Sequence, residues 1–185
     1  MNLDPKLLQA AHQGDRKAQY ALYRTCFPVL MSVCMRYRRD KQDAVSALNN
    51  GFLKIIQNLD RYKRDEVPFE AWIRRIMINT LIDEFRKEKK WRELTVFTED
   101  FERSYPNEPI DWNEAEQRLD VQHLEALLKR LPPMTQKVFN LFALDGYSHH
   151  EISDLLGMSE GTSKWHVSSA RAQLQTWIKK ETVVG

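Results

Sequence analysis

The chain has 185 residues, a formal net charge of +2, and only 6 glycines and 7 prolines. That length holds one domain or two small ones, and 29% charged residues beside an ordinary apolar content describe a soluble globular protein. No apolar run is long enough to span a bilayer, and the N-terminal MNLDPKLLQAAHQGD is too polar for a secretory signal.

The net charge conceals an uneven distribution: residues 1–90 carry +7, residues 91–120 carry −6, and residues 121–185 carry +1. A positive block points to a polyanionic partner, although a solvated basic face needs no partner at all. Few runs of β-branched residues favour an all-helical reading.

In chain order, residues 5–13 predict a short helix stopped at Gly14. A longer helix follows from Asp15 to about Tyr37, with Ala18, Leu22, Val29, Leu30, Val33 and Tyr37 as expected core positions. Pro28 is expected to bend it, because proline removes a backbone donor and crowds the preceding turn. Cys26 and Cys34 lie on this helix, too far apart along it to pair, and fit buried, inert thiols in a reducing cytoplasm. A third helix, about Gln42 to Leu59, places Val45, Leu48, Phe52, Ile55, Ile56 and Leu59 on a core stripe. Its opposite surface, Ser46, Asn49, Asn50, Lys54 and Gln57, is polar but nearly uncharged.

After the connector DRYKRDEVP, Pro68 opens a fourth helix, Phe69 to about Trp91. Phe69, Ile73, Ile76, Met77, Thr80 and Leu81 share one side, and Trp72, Arg75, Asn79, Asp83, Arg86 and Lys90 a second. A ring followed down one stripe by guanidinium, amide and cation can stack unpaired bases and neutralise phosphate. A solvated amphipathic helix with Trp72 folded into the core has the same pattern.

From Arg92 to about Glu116 periodicity fails, and the acidic, proline-containing composition reads as a linker. Its aromatics Phe97, Phe101, Tyr105 and Trp112 exceed what a spacer needs and are expected to dock on a partner or a flanking domain. A second helical domain runs through Leu119, Leu124, Leu127, Leu128 and Leu131, and breaks at Pro132-Pro133. It resumes from Thr135 through Phe139, Phe142 and Leu144, and Gly146 ends that helix. Ser148 then caps a helix carrying Ile152, Leu155 and Leu156, Gly157 stops it, and Ser159 offers the next cap. The last helix places Trp165, Val167, Ala170, Leu174, Trp177 and Ile178 apart from Lys164, His166, Ser168, Ser169 and Arg171. Two helices across a glycine turn, the second basic and hydroxyl-bearing, describe either a helix-turn-helix suited to the major groove or a hairpin serving only as core. His149-His150-Glu151 lacks the spacing of a zinc helix and two cysteines are too few ligands, so no metal or cofactor is expected.

Taken in this order, the segments resemble the bacterial sigma-70 family, in its short two-domain extracytoplasmic-function (ECF) group. GDRKAQYALYRTCFPVLMSVCMRY is similar to the start of the N-terminal domain, region 2. GFLKIIQNLDRY and PFEAWIRRIMINTLIDEFRK are similar to its polymerase-facing and promoter-melting helices. LPPMTQKVFNLFALDGYSHHEISDLLGMSEGTSKWHVSSARAQL is similar to the C-terminal domain, region 4. The wording SVCMRY further resembles versions common in Bacteroidetes.

The resemblance implies an all-α protein of two small helical domains: region 2 over residues 1–91, an acidic linker over 92–116, and region 4 over 117–185. It implies a cytoplasmic transcription initiation factor that does no covalent chemistry. The implied partners are RNA polymerase core, at the beta-prime clamp helices and beta flap, promoter DNA, and commonly an anti-sigma factor, with no membrane insertion. Carried over by position, Thr162, Lys164, Trp165, His166, Ser168, Ser169 and Arg171 fall on contacts of the recognition helix to the −35 element. Tyr62, Lys63, Arg64, Trp72, Arg75, Asn79 and Arg86 fall on the surface that holds unpaired −10 bases. Asp43, Ser46, Asn49, Asn50, Phe52 and Lys54 fall on the polymerase side. The acidic linker matches the segment that threads the RNA-exit path.

One departure stands out. Where the family usually presents acids and a Gln-Glu pair to the polymerase, this chain has Val45, Ser46, Asn49 and Asn50. Losing charge-assisted bonds costs about 1–2 kcal/mol per contact. The departure leaves open a second reading, a sigma-like DNA-binding regulator that engages polymerase poorly.

Overall fold

The computed structural model describes residues 3–93 and 121–183, and the linker region, Leu119 included, lies outside them. All regular elements among the described residues are helical, and they fall into two compact units.

In the N-terminal unit, the Asp4 carboxylate caps α1 (Pro5–His12) by accepting from the Lys6 amide at 2.9 Å. Gly14, at φ +91°, makes the turn, and Asp15 caps α2 (Arg16–Tyr37) by accepting from the Ala18 amide at 2.8 Å. Positive φ is the conformation that only glycine adopts without strain. Helix α2 runs on through Pro28, with one helical assignment on both sides. Asp40 caps α3 (Lys41–Gln57), and a 3-10 turn (Leu59–Arg61) leads through the connector to α4 (Phe69–Glu93).

Leu22, Leu30, Val33, Leu48, Ile55, Ile73, Met77 and Ile82 form the core of this unit. Cys26 and Cys34 are buried among them, and burial pushes both thiols up to about 12, so they remain protonated packing groups. Several expected core positions are only half-buried: Val29, Tyr37, Val45, Phe52, Ile56 and Ile76. On α3 the buried line is Ala44, Ala47, Leu48, Gly51 and Ile55, one step round from the stripe of large side chains. Small residues permit a close helix crossing; a Cβ on Gly51 would sit 2.5 Å from the Met77 sulfur.

The C-terminal unit contains α5 (Val121–Arg130), α6 (Pro133–Phe139), a π-helical turn (Asn140–Leu144), α7 (His149–Leu156) and α8 (Glu160–Val183). Leu127, Leu128, Leu131, Phe139, Ala170 and Leu174 pack as a cluster, with Leu124, Trp177 and Ile178 against it. The helix expected to run from Thr135 through Leu144 instead ends in this π turn. An amide bond from Asp145 to the Asn140 carbonyl, 3.0 Å, adds a residue to the turn, and Leu144 is 45% exposed.

Candidate nucleic-acid and polymerase interfaces

The helix-turn-helix is built by local chemistry at each end. Ser148 and Glu151 form a reciprocal capping box at the start of α7: the Glu151 amide donates to Ser148 Oγ (3.2 Å) and the Ser148 amide to Glu151 Oε2 (2.9 Å). Gly157 ends α7 at φ +64°, its amide donating to the Ser153 carbonyl at 2.9 Å. Ser159 Oγ accepts from the Thr162 amide at 3.0 Å and starts α8.

Two histidine–hydroxyl pairs pin the helices together. His149 stacks on Phe142 at 4.4 Å and brings Nδ1 to 2.9 Å from Oγ of the fully buried Ser163. His166 Nδ1 lies 3.0 Å from Oγ1 of buried Thr135. Burial lowers the pKa of both imidazoles, with Lys164 adding to the effect at His149. His149 and His150 turn to different partners, Ser163 and Glu160, and among the described residues no cluster of metal-ligating side chains occurs.

Of the expected recognition-helix residues, Thr162 and Lys164 are exposed, and Trp165, Ser168 and Arg171 are half-buried. Lys164, Ser168 and Arg171 share a stripe at helical spacing, and the Arg171 guanidinium sits 5.8 Å from the Phe142 ring centre. Two expectations are corrected. Ser169 is 2% exposed and takes a bond from Gln173 Nε2 at 3.1 Å, so it is a core hydroxyl. His166 directs Nδ1 to Thr135 and serves to hold α8 on α6. Ser163, Thr135 and Phe142 carry parts of this site to which the sequence reading gave no such role, because the histidines they meet lie elsewhere along the chain, 14 residues from Ser163 and 31 from Thr135.

In the N-terminal unit, Trp72 begins the expected stripe as part of an aromatic cluster. Its ring is 5.2 Å from Tyr62 and 5.7 Å from buried Phe69, and Tyr62 meets Phe69 edge-on at 5.0 Å. Trp72 is therefore half-buried, packed on one side and open on another. Arg75, Asn79 and Arg86 are exposed along α4, while the side chain of Lys90 lies outside the described residues. Asp83, the acid in this stripe, is held by Lys54 Nζ at 3.1 Å. In the connector Lys63 and Arg64 are exposed, and Lys63 pairs with Glu66 at 2.7 Å.

On the expected polymerase side, Asp43, Ser46, Asn49 and Asn50 are exposed and Phe52 and Lys54 half-buried. The amides are tied into the unit. Tyr23 donates its hydroxyl to Asn49 Oδ1 at 3.1 Å, and Asn50 Nδ2 donates to Glu84 Oε1 at 3.0 Å. Glu84 also takes Arg38 Nη2 at 2.6 Å, and Glu88 takes Nη1 at 2.9 Å. Burial works against the Arg38 charge, but the bonds to Glu88 and Glu84 outweigh it and push its pKa up.

A cationic, ring-headed helix in one unit and a helix-turn-helix in the other define a two-part nucleic-acid-binding protein. Residues 22–92 match the family model for sigma-70 region 2, and residues 122–174 match that for sigma-70 region 4. The chain is 27% identical over 176 residues to the ECF RNA polymerase sigma factor SigM of Mycobacterium tuberculosis, covering 92% of this chain and 82% of that protein. It is 26% identical over 150 residues to the ECF RNA polymerase sigma factor SigE of Mycolicibacterium smegmatis, covering 80% of this chain and 56% of the length of that relative. The fold is shared with the sigma factor RpoE of Bartonella quintana, solved with the anti-sigma factor NepR, at a TM-score of 0.51 and 22% identity over 86% of this chain and 96% of that one. The chain belongs to the sigma-70 family, as a transcription initiation factor of the ECF type. Among the described residues no helix is long and apolar enough to cross a membrane.

Proposed function

We propose that the protein binds RNA polymerase core in the cytoplasm, carries it to promoters and holds the opened −10 strand, with no covalent step of its own. Both sigma regions on one chain, together with the exposed Arg75–Asn79–Arg86 stripe headed by the Trp72 cluster, carry this reading. In it, region 2 spans residues 1–91, the linker 92–116 and region 4 residues 117–185.

Thr162, Lys164 and Ser168 read the −35 duplex from the major groove, with Trp165 packed beside them and Arg171 at the phosphates. Tyr62 and Trp72 offer ring faces to unpaired −10 bases, and Lys63, Arg64, Arg75, Asn79 and Arg86 hold the strand. The Lys54–Asp83 pair supports this role, because the ammonium at 3.1 Å partly offsets the carboxylate that would oppose phosphate along the α4 stripe. Asp43, Ser46, Asn49, Asn50, Phe52 and Lys54 lie on the polymerase side. The regulator that does not join polymerase is the weaker reading, since both departing amides have bonding roles inside the unit. An anti-sigma factor that covers either surface is the matching control.

Holoenzyme carrying Lys164→Ala or Arg171→Ala is expected to bind promoter DNA several-fold more weakly, at roughly 1–2 kcal/mol per lost contact. Run-off transcription unchanged by both substitutions would overturn the assignment of α8.

A further inference from the structure

Phe142, in the π turn, gathers groups from both helices of the helix-turn-helix. The His149 imidazole stacks on its ring at 4.4 Å, 16° from parallel, and the Arg171 guanidinium lies 5.8 Å from the ring centre. His149 Nδ1 is held by the hydroxyl of Ser163, at 2.9 Å, and Lys164 is the next residue. Among the described residues no hydrogen bond uses His149 Nε2, and the ring is only half-buried, which leaves that nitrogen for a partner from outside. A hydroxyl can donate to Nδ1 or accept from it, so the Ser163 contact survives either charge state of the ring.

The charges that face His149 come from α8: Lys164, Arg171 and, opposing them, Glu160. The π turn, NLFAL, brings none, and on α7 itself His150 is turned to Glu160 and Glu151 to Ser148. Burial first, and then Lys164 and Arg171, lower the His149 pKa in the free chain. The one acid there, Glu160, is shared with His150 at 3.2 Å and Lys164 at 3.9 Å. A phosphate supplies the missing counter-charge, and the stripe of Lys164, Ser168 and Arg171 is the surface assigned to the −35 duplex. We infer that His149 is a further contact to promoter DNA: its imidazolium donates from Nε2 to a backbone phosphate beside Lys164 and Arg171, so that binding of the −35 duplex takes up a proton. This inference rests on the reading of α8 as the recognition helix. An opposite charge within about 4–6 Å moves a pKa by about 1–3, here upward, so the complex keeps the proton at pH values where the free chain has lost it. Promoter affinity therefore rises as pH falls through that window.

The test is promoter binding by holoenzyme, assembled from core polymerase and the full chain, at about pH 8 and about pH 6 and constant ionic strength, a range that spans histidine titration. The unsubstituted protein is expected to bind roughly three- to tenfold more tightly at the lower pH. His149→Gln is expected to lose most of that gain, His150→Gln to keep it, and His149→Arg, charged throughout, to bind with little pH dependence. A gain in His149→Gln equal to that of the unsubstituted protein, or no gain in the unsubstituted protein, would overturn the inference. If His149→Gln loses helical content by circular dichroism, the His149 Cε1–H resonance of the unsubstituted full chain decides. Its titration is expected to move to higher pH with excess −35 duplex at low salt, and a titration unmoved while amide shifts report binding would overturn the inference equally. Failure of unsubstituted holoenzyme to bind promoter at either pH would instead remove the reading of α8 beneath it.

Discussion

At the level of single residues, the side chains that hold the helix-turn-helix together are small hydroxyls facing imidazoles. Sequence pattern assigns serine, threonine and histidine to the outside of a helix by default, which is why Ser169 and His166 looked like base contacts. Gln173, the partner of Ser169, lies one turn along the same helix, whereas Thr135, the partner of His166, lies on another helix that only packing brings near. The pairs carry a pH dependence. His149 and His166 have lowered pKa values in the folded chain, so the unfolded chain takes up protons first as pH falls through the ordinary histidine value of 6.5. Stability of the C-terminal unit is therefore full above that value and falls below it. The opening free energy of the α7–α8 amides, taken from hydrogen exchange corrected for its intrinsic pH dependence, is expected to fall between about pH 7 and about pH 5, over the range where histidine titrates. His166→Gln, which cannot titrate, is expected to flatten that dependence, and an unchanged slope would show that the charge of His166 is not the cause.

At the level of elements, the helix ends were the most legible part of the chain. Ser148 and Gly157 announce α7 by residue type, and the structure adds the reciprocal Glu151 bond that makes the start a full capping box. Gly157→Ala places a Cβ on a left-handed backbone with nothing else within 4 Å, so strain alone is at issue. That change is expected to destabilise the C-terminal unit by about 1 kcal/mol in thermal unfolding, and no loss would mean the turn can relax. The face of α3 was less legible. Weight given to large apolar residues placed its core stripe one step from the true line, because Ala44, Ala47 and Gly51 bury by being small. On α4 the stripe was legible, since Arg75, Asn79 and Arg86 are exposed in the order the spacing predicts. What spacing did not reveal is the Tyr62–Phe69–Trp72 cluster, which needs the connector folded back on the helix.

For the whole molecule, uneven charge and two helical domains were visible in the sequence, while the uses of individual polar groups were not. Asn49 and Asn50 stand where the family usually has a Gln-Glu pair, and each also bonds inside the unit, Asn49 accepting from Tyr23 and Asn50 donating to Glu84, a carboxylate that a Glu at position 50 would repel. Region 4 brings little net charge of its own to DNA, +1 over residues 121–185, so its tight promoter binding is expected only with polymerase attached. The central claim is that the α4 stripe holds the opened strand. It is tested most directly by run-off transcription with core polymerase on a duplex promoter and on the same promoter with its −10 region pre-opened by mismatches. Combined Trp72→Ala, Arg75→Ala and Asn79→Ala substitutions are expected to lower transcription from the duplex by roughly tenfold or more, at about 1 kcal/mol or more per lost stacking or phosphate contact, and to lower it less on the opened template. Equal activity of the substituted and unsubstituted proteins on the duplex would contradict the account.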